Sequence, residues 1–76
     1  MILIAGGYLD FYMPGRRRRL ALDLEAPCSL RSLLQELGIP LEEVQLILLN
    51  GKIVDNDQTL VANGDQVKVY SPMDGG

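Results

Sequence analysis

The residues best suited to chemistry in this chain are its last two, Gly75 and Gly76. A terminal carboxylate can be activated as an acyl adenylate, and the activated carbonyl can then accept sulfur or an amine. Because glycine has no Cβ, the backbone at these positions can enter a slot that any side chain would block. This ending predicts a carboxylate presented to another protein's active site. The alternative is an idle terminus, since chain ends are commonly disordered.

The segment before the glycines predicts a long arm. Gly76 lies six residues beyond Tyr70, so an extended arm reaches roughly 20 Å at about 3.3 Å per residue. Pro72 restricts φ and lowers the entropy lost when the arm is ordered. We therefore expect a folded domain over residues 1–70 and a flexible C-terminal tail over residues 71–76.

Three residues near the tail are candidates for binding a partner. In the strand-like run 66–70, alternation points Lys68 and Tyr70 away from the core. Aromatic residues are favoured at the centres of interfaces, which makes Tyr70 the stronger candidate. Met73 could fill an apolar pocket on a partner. For each residue the alternative is an ordinary exposed side chain.

Composition disfavours an independent enzyme. The chain has 76 residues, no histidine and a net charge of −3. A domain of this size buries a small core, and the usual general base is missing. No spacing of acidic residues indicates an acid/base pair or a metal site. We therefore expect no catalytic residue, no metal and no cofactor.

The same composition indicates a compartment. The single cysteine, Cys28, cannot form an internal disulfide, which favours a reducing environment. The apolar N-terminus has no basic n-region, and no run approaches the roughly 18 apolar residues of a spanning helix. We expect a soluble, cytoplasmic monomer without a membrane partner.

One helix is clearly predicted. Ser29 is a good N-cap, and leucines follow it at positions 30, 33, 34 and 37 as one apolar stripe. Gly38 suits the left-handed conformation that ends a helix. The stripe should pack on a sheet, whose strands are expected at residues 2–5, 19–24, 45–49, 52–54 and 66–70.

Two features of the predicted sheet are specific. The apolar run at residues 45–49 is typical of an interior strand covered on both faces. Asn50 and Gly51 both tolerate positive φ and predict a tight hairpin directly after it. Residues 8–13 carry no clear pattern.

The strongest charge cluster is Arg16–Arg19. It could contact phosphate or an acidic partner, or it could be a solvated hairpin whose side-chain stems cover apolar surface. The acidic net charge favours the second interpretation and makes a nucleic-acid partner unexpected. Tyr8, Phe11 and Tyr12 lie nearby in sequence, which keeps the first interpretation open.

The order of these elements resembles the β-grasp, or ubiquitin-like, fold. Within that fold the chain resembles the ThiS/MoaD sulfur-carrier group, from about Pro14 to Gly76. The resemblance rests on the run 48–55, on Leu60, on the run 63–70 and on the two final glycines. It implies an α+β fold with a mixed sheet of four to five strands and one main helix packed across it. Met13–Arg19 and residues 41–50 resemble ubiquitin-like domains that are fused to nuclease-like proteins.

The resemblance also implies a function. In the sulfur-carrier group an adenylating, E1-like enzyme activates the last glycine. The product becomes a thiocarboxylate that delivers sulfur to a biosynthetic enzyme of thiamin or molybdopterin-type cofactors. By this analogy Gly76 reacts, and Gly75 lets the tail enter the enzyme. The alternative is a ubiquitin-like interaction module or protein modifier that contacts RNA or a nuclease-like partner through its arginines.

Overall fold

The computed structural model describes residues 1–54 and 58–72. In chain order its strands are β1 (Ile2–Gly6), β2 (Arg19–Ala21), β3 (Cys28–Ser29), β4 (Leu46–Leu49), β5 (Lys52–Val54), β6 (Leu60–Val61) and β7 (Gln66–Tyr70). Helix α1 (Leu30–Leu37) follows β3 directly. Three short 3₁₀ turns cover Leu9–Tyr12, Pro14–Arg16 and Leu41–Glu43.

The main sheet is mixed, as predicted. Across the residues that the structure describes, five strands lie in the order β2-β1-β7-β4-β5, and β3 pairs with β6 in a separate small ladder. Strand β7 runs parallel to β1 and antiparallel to β4. Strands β1 and β2 form an antiparallel pair. The last strand of the chain therefore lies at the centre of the sheet.

Helix α1 forms where the sequence predicts it. The Ser29 hydroxyl accepts a hydrogen bond from the Ser32 N–H at 3.1 Å, which satisfies a donor that the first turn leaves free. Gly38 ends the helix at φ 82°, a backbone conformation that glycine adopts without steric cost. Leu30, Leu33 and Leu34 are buried, and Leu37 packs at the edge of the core.

The core lies between α1 and one face of the sheet. Alternation places the odd-numbered residues of β1 and β7 on that face, where they are almost fully buried. The side chains that the helix stripe meets there are Leu3, Ala5, Ile47, Val67 and Val69.

Two predicted strands differ from the structure in detail. Strand β2 ends at Ala21 rather than at Leu24. Leu20, Leu22 and Leu24 nevertheless all pack against the core. The alternation of these leucines therefore indicates burial on one side of the chain, which continues past the last paired residue of β2. The second difference is in β4, which is an interior strand as predicted, but only Ile47 of its four residues is fully buried.

Residues 7–18, which connect β1 to β2, fold back onto the domain. Leu9 and Met13 are buried and fix this connection to the core. The Tyr12 hydroxyl lies beside the Glu43 carboxylate of the third 3₁₀ turn, and this neighbour raises the pKa of Tyr12 because it stabilises the protonated phenol. The connection is therefore attached to the third 3₁₀ turn as well.

We expect the core leucines of α1 to dominate stability. Leu34 is 0% exposed, so Leu34→Ala removes a buried isopropyl group and leaves a cavity. This should lower the unfolding free energy by about 2–5 kcal/mol. Leu60 is 64% exposed, so the same chemical change at Leu60 should cost less than about 0.5 kcal/mol. Urea denaturation measures both; equal losses would contradict this packing.

Candidate docking face and chain exit

The sheet has a second face, opposite α1, which we call the outer face. It is formed by the residues that alternate with the core residues along each strand. One row of cross-strand neighbours traverses all five strands of the main sheet within the described residues. Its members are Arg19, Ile4, Lys68, Leu48 and Ile53. A second row contains Gly6, Tyr70 and Leu46.

The outer face is largely apolar and incompletely covered. Ile53 is 70% exposed, while Ile4, Leu46 and Leu48 are partly exposed. Apolar residues on both faces of β4 predicted two covered faces, and α1 covers one of them. An uncovered apolar sheet face rimmed by polar residues marks an interaction surface.

The charges on the outer face are of one sign. Among its strand residues the structure describes two cations, Arg19 and Lys68, and no carboxylate. The chain as a whole has ten acidic residues against seven basic ones. The outer face therefore differs from the rest of this acidic protein in both polarity and charge.

Tyr70 is held flat on this face by Gly6. A Cβ added at Gly6 would collide with the Tyr70 ring, so the missing side chain is the space that the ring occupies. Aromatic rings commonly cover strand glycines in this way. The ring is half-buried, and its position next to Gly6 fixes an aromatic anchor beside the end of β7.

The chain leaves the sheet at a fixed point. Ser71 is 2% exposed, and its hydroxyl accepts a hydrogen bond from the Tyr8 N–H at 3.1 Å. Gly7 has φ 63°, and a Cβ there would collide with the Ser71 hydroxyl. The Gly6-Gly7 pair therefore leaves room for Tyr70 and Ser71, which directly precede the C-terminal tail.

The start of β7 is fixed by a polar network. The Asn50 side chain donates to Asp65 at 3.0 Å and accepts from the Gln66 N–H at 2.8 Å. The Ala62 N–H also donates to Asp65, at 2.9 Å. These bonds, first the one from Asn50, lower the pKa of Asp65 from its ordinary value of 3.8. Asn50 has φ 52°, as the predicted hairpin requires.

The predicted site residues divide into two groups. Lys68 and Tyr70 lie side by side on the outer face, as alternation predicted. Met73, Gly75 and Gly76 lie outside the described residues. Sequence reasoning missed Ile4, Leu48 and Ile53 as members of this surface. The signal that could have identified them is that β1 and β4 have apolar residues on both faces, whereas one helix can cover only one face of the sheet.

Few other candidate groups occur in the described part of the chain. Within residues 1–54 and 58–72 no group of three metal-ligating side chains is close enough to hold an ion. Cys28 is half-buried in β3 and carries no disulfide. None of the helices in this part of the chain is long and apolar enough to span a membrane.

One helix packed across a mixed five-stranded sheet, in the part of the chain described, defines an α+β protein of the β-grasp class. The chain belongs to the Mut7-C ubiquitin family, whose profile matches residues 4–75. The ubiquitin-like fold expected from the sequence is therefore confirmed.

A solved structure supports the same fold. The chain is similar to a protein in the complex of subunits 1 and 2 of the molybdopterin-converting factor from Helicobacter pylori 26695, with a TM-score of 0.62. The identity is 23%, and the match covers 99% of this chain and 96% of that one. No curated protein matches the sequence.

Gly6→Ala tests the packing of Tyr70. The added methyl must displace the ring, which should cost about 1–3 kcal/mol in unfolding free energy. In a Tyr70→Ala background the same substitution should be nearly neutral, because the clash is gone. A double-mutant cycle by urea denaturation measures the difference, and equal costs in both backgrounds would exclude this contact.

The Asp65 network should make stability depend on pH. Because the folded-state pKa of Asp65 is lowered, its ionised form stabilises the fold, and that contribution is lost as the pH falls below the ordinary value of 3.8. The difference in unfolding free energy between the parent and Asp65→Asn should therefore shrink in this acid range. Asn50→Ala should reduce the same pH dependence. A difference that stays constant with pH would contradict the network.

Proposed function

We propose that this protein is a sulfur carrier that works through the carboxylate of Gly76. A partner enzyme adenylates this carboxylate, and the adenylate is converted to a thiocarboxylate for transfer in cofactor biosynthesis, of the thiamin or molybdopterin type. The observation that carries the proposal is spatial. The apolar outer face and the point at which the chain leaves the sheet adjoin each other at Tyr70 and Ser71.

Two parts of the molecule have separate roles in this proposal. The outer face docks on the partner through Ile4, Leu48 and Tyr70, with Lys68 at its centre. The arm after Ser71 carries the reacting carboxylate. Gly76 lies five residues beyond Ser71, which permits a reach of up to about 17 Å. Met73 is proposed to enter an apolar pocket along this path.

The proposed reaction has two steps, adenylation and sulfur transfer. A Gly76 carboxylate oxygen attacks the α-phosphorus of ATP, forming the acyl adenylate as pyrophosphate leaves. A sulfur nucleophile at the oxidation level of hydrosulfide then attacks the acyl carbon. AMP leaves with the bonding electrons, and the product is the thiocarboxylate. The partner supplies the nucleotide, its metal ion and the sulfur nucleophile, so this chain acts as a substrate-like carrier. Gly75 lets the backbone approach the nucleotide closely.

The proposal has support at two levels. Membership of the Mut7-C ubiquitin family favours a ubiquitin-like carrier, modifier or interaction role. The fold match to a protein in the complex of subunits 1 and 2 of the molybdopterin-converting factor favours a protein partner and a role in cofactor biosynthesis of the molybdopterin type. A protein modifier is the second candidate, favoured by the ubiquitin description of the family; a lysine amine would then replace sulfur as the nucleophile.

Activation can be tested with purified adenylating enzymes, ATP and a sulfide donor. We expect intact mass spectrometry to record one oxygen-to-sulfur exchange, located at Gly76. Deletion of Gly76 should abolish the exchange and leave the circular dichroism spectrum unchanged. A product joined to lysine would favour the modifier, and no product with any adenylating enzyme of this class would contradict both candidates.

Docking can be tested in the same reaction. Leu48→Glu places a charge in the middle of the outer face and should raise the KM for this protein by at least about 5-fold, with little change in kcat. Lys52→Glu is the matched control, because Lys52 is exposed on the other face of the same hairpin. Equal effects of the two substitutions would remove the outer face from the proposal.

A further inference from the structure

A second surface lies on the connection between β1 and β2. Residues 7–18 contain three of the four aromatic residues of the chain, and Arg16, Arg17 and Arg18. We call Tyr8, Phe11, Arg16, Arg17 and Arg18 the aromatic–arginine patch. The proposed carrier role uses none of these side chains.

The two rings of the patch are unusually accessible. Phe11 is 57% exposed and Tyr8 is 45% exposed. The Arg16 guanidinium carbon lies 4.7 Å from the centre of the Phe11 ring, and Tyr12 packs edge-on against the same ring at 5.3 Å. Phe11 is therefore held in an exposed position by its neighbours, with part of the ring free.

The patch offers rings and guanidinium groups but little aliphatic surface. The aliphatic residues of this connection, Leu9 and Met13, are 0% and 3% exposed. A protein-binding hot spot places its aromatic residues in well-packed, fully desolvated surroundings, as the outer face could provide. Exposed rings among arginines instead match the stacking platforms and electrostatic grooves that hold unpaired bases.

The arginines remain available for phosphate. The contact between Arg18 and Asp10 is long, at 3.9 Å, and the Arg18 side chain is 73% exposed. Exposed pairs of this kind are weak and easily exchanged. Arg16–Arg19 holds four of the seven basic residues, while the rest of the chain is acidic. A polyanion is therefore attracted most strongly to this end of the molecule.

We propose that the aromatic–arginine patch binds single-stranded nucleic acid. Phe11 and Tyr8 stack on unpaired bases, and Arg16, Arg17 and Arg18 pair with the flanking phosphates. Arginine suits this site because its planar guanidinium can both stack and bind phosphate through two hydrogen bonds. The negative net charge of the chain makes a nucleic-acid partner unexpected. However, the arginines are concentrated in one segment, so the local charge of the patch is positive.

Fluorescence anisotropy with labelled oligouridylate and oligothymidylate of about a dozen nucleotides tests the proposal. We expect saturable binding of at least one of them. Three phosphate contacts predict a slope of log affinity against log salt near −2, so that binding weakens roughly 20-fold between about 50 and 200 mM salt. No saturable binding of either strand would overturn the proposal.

Matched variants separate stacking from general charge. Phe11→Leu should weaken binding at least about 5-fold, and Arg17→Gln should reduce the magnitude of the salt slope by about 0.7. Lys52→Gln removes the same charge from β5, four strands from β2 and about 19 Å away, and should change nothing. Circular dichroism checks that each variant is folded.

Two other results would also overturn the proposal. One is equal loss of binding in Arg17→Gln and Lys52→Gln. The other is binding of poly-glutamate as tight as that of the oligonucleotides, which would assign the patch to an acidic protein. Deletion of Gly75 and Gly76 should leave oligonucleotide binding unchanged. This site can therefore fail without affecting the carrier proposal, and the reverse also holds.

Discussion

The structure depends on the position of β7 between β1 and β4. Strand β7 is hydrogen-bonded on both sides, parallel to β1 and antiparallel to β4, and its Val67 and Val69 are 0% exposed. The strand that leads to the C-terminal tail is thus the central strand of the sheet. Asp65 and Asn50 fix its start, and Gly6 and Gly7 accommodate the residues at its end. The end of β7 is therefore attached to the folded domain up to Ser71.

The same arrangement explains why the outer face remains apolar. A mixed sheet with one helix can cover only one of its faces. If the other face were only in contact with solvent, polar residues would be expected on it, as on the solvated faces of antiparallel sheets. Here Ile4, Leu48 and Ile53 occupy it, next to Tyr70. A protein this small loses stability and solubility by exposing them, which is consistent with a surface kept for a partner.

Local signals made much of the fold predictable. The helix followed from an N-cap, a leucine stripe and a terminal glycine, and the β4–β5 hairpin from Asn50-Gly51, because each signal acts within a few residues. The pair β3 and β6 was not foreseen as a ladder, since two residues per strand carry no period. The conformation of residues 7–18 could not be predicted from the sequence. It is set by the burial of Leu9 and Met13 in a core that is built from distant strands.

The candidate site was predictable only in part. Alternation placed Lys68 and Tyr70 outward, because strand period is a local property. The full outer face required the register between strands, which brings Ile4, Lys68 and Leu48 into one row. The role of Gly6 required knowledge of the ring above it. Registers and close contacts between strands depend on the assembled sheet, so the sequence alone could not supply them.

We propose different partners for two surfaces of one small domain. The outer face suits a protein because it is apolar and adjoins the arm, whereas the aromatic–arginine patch suits unpaired bases because it is aromatic and cationic. They share an edge at β2, where Arg19 lies on the outer face and Arg18 faces Asp10.

Intact mass spectrometry of the protein isolated from its native source tests the central claim most directly. Our account predicts a fraction of molecules that end at Gly76 with one terminal oxygen replaced by sulfur. A native chain that continues beyond Gly76, or a Gly76 that never carries sulfur while cofactor is being made, would contradict it.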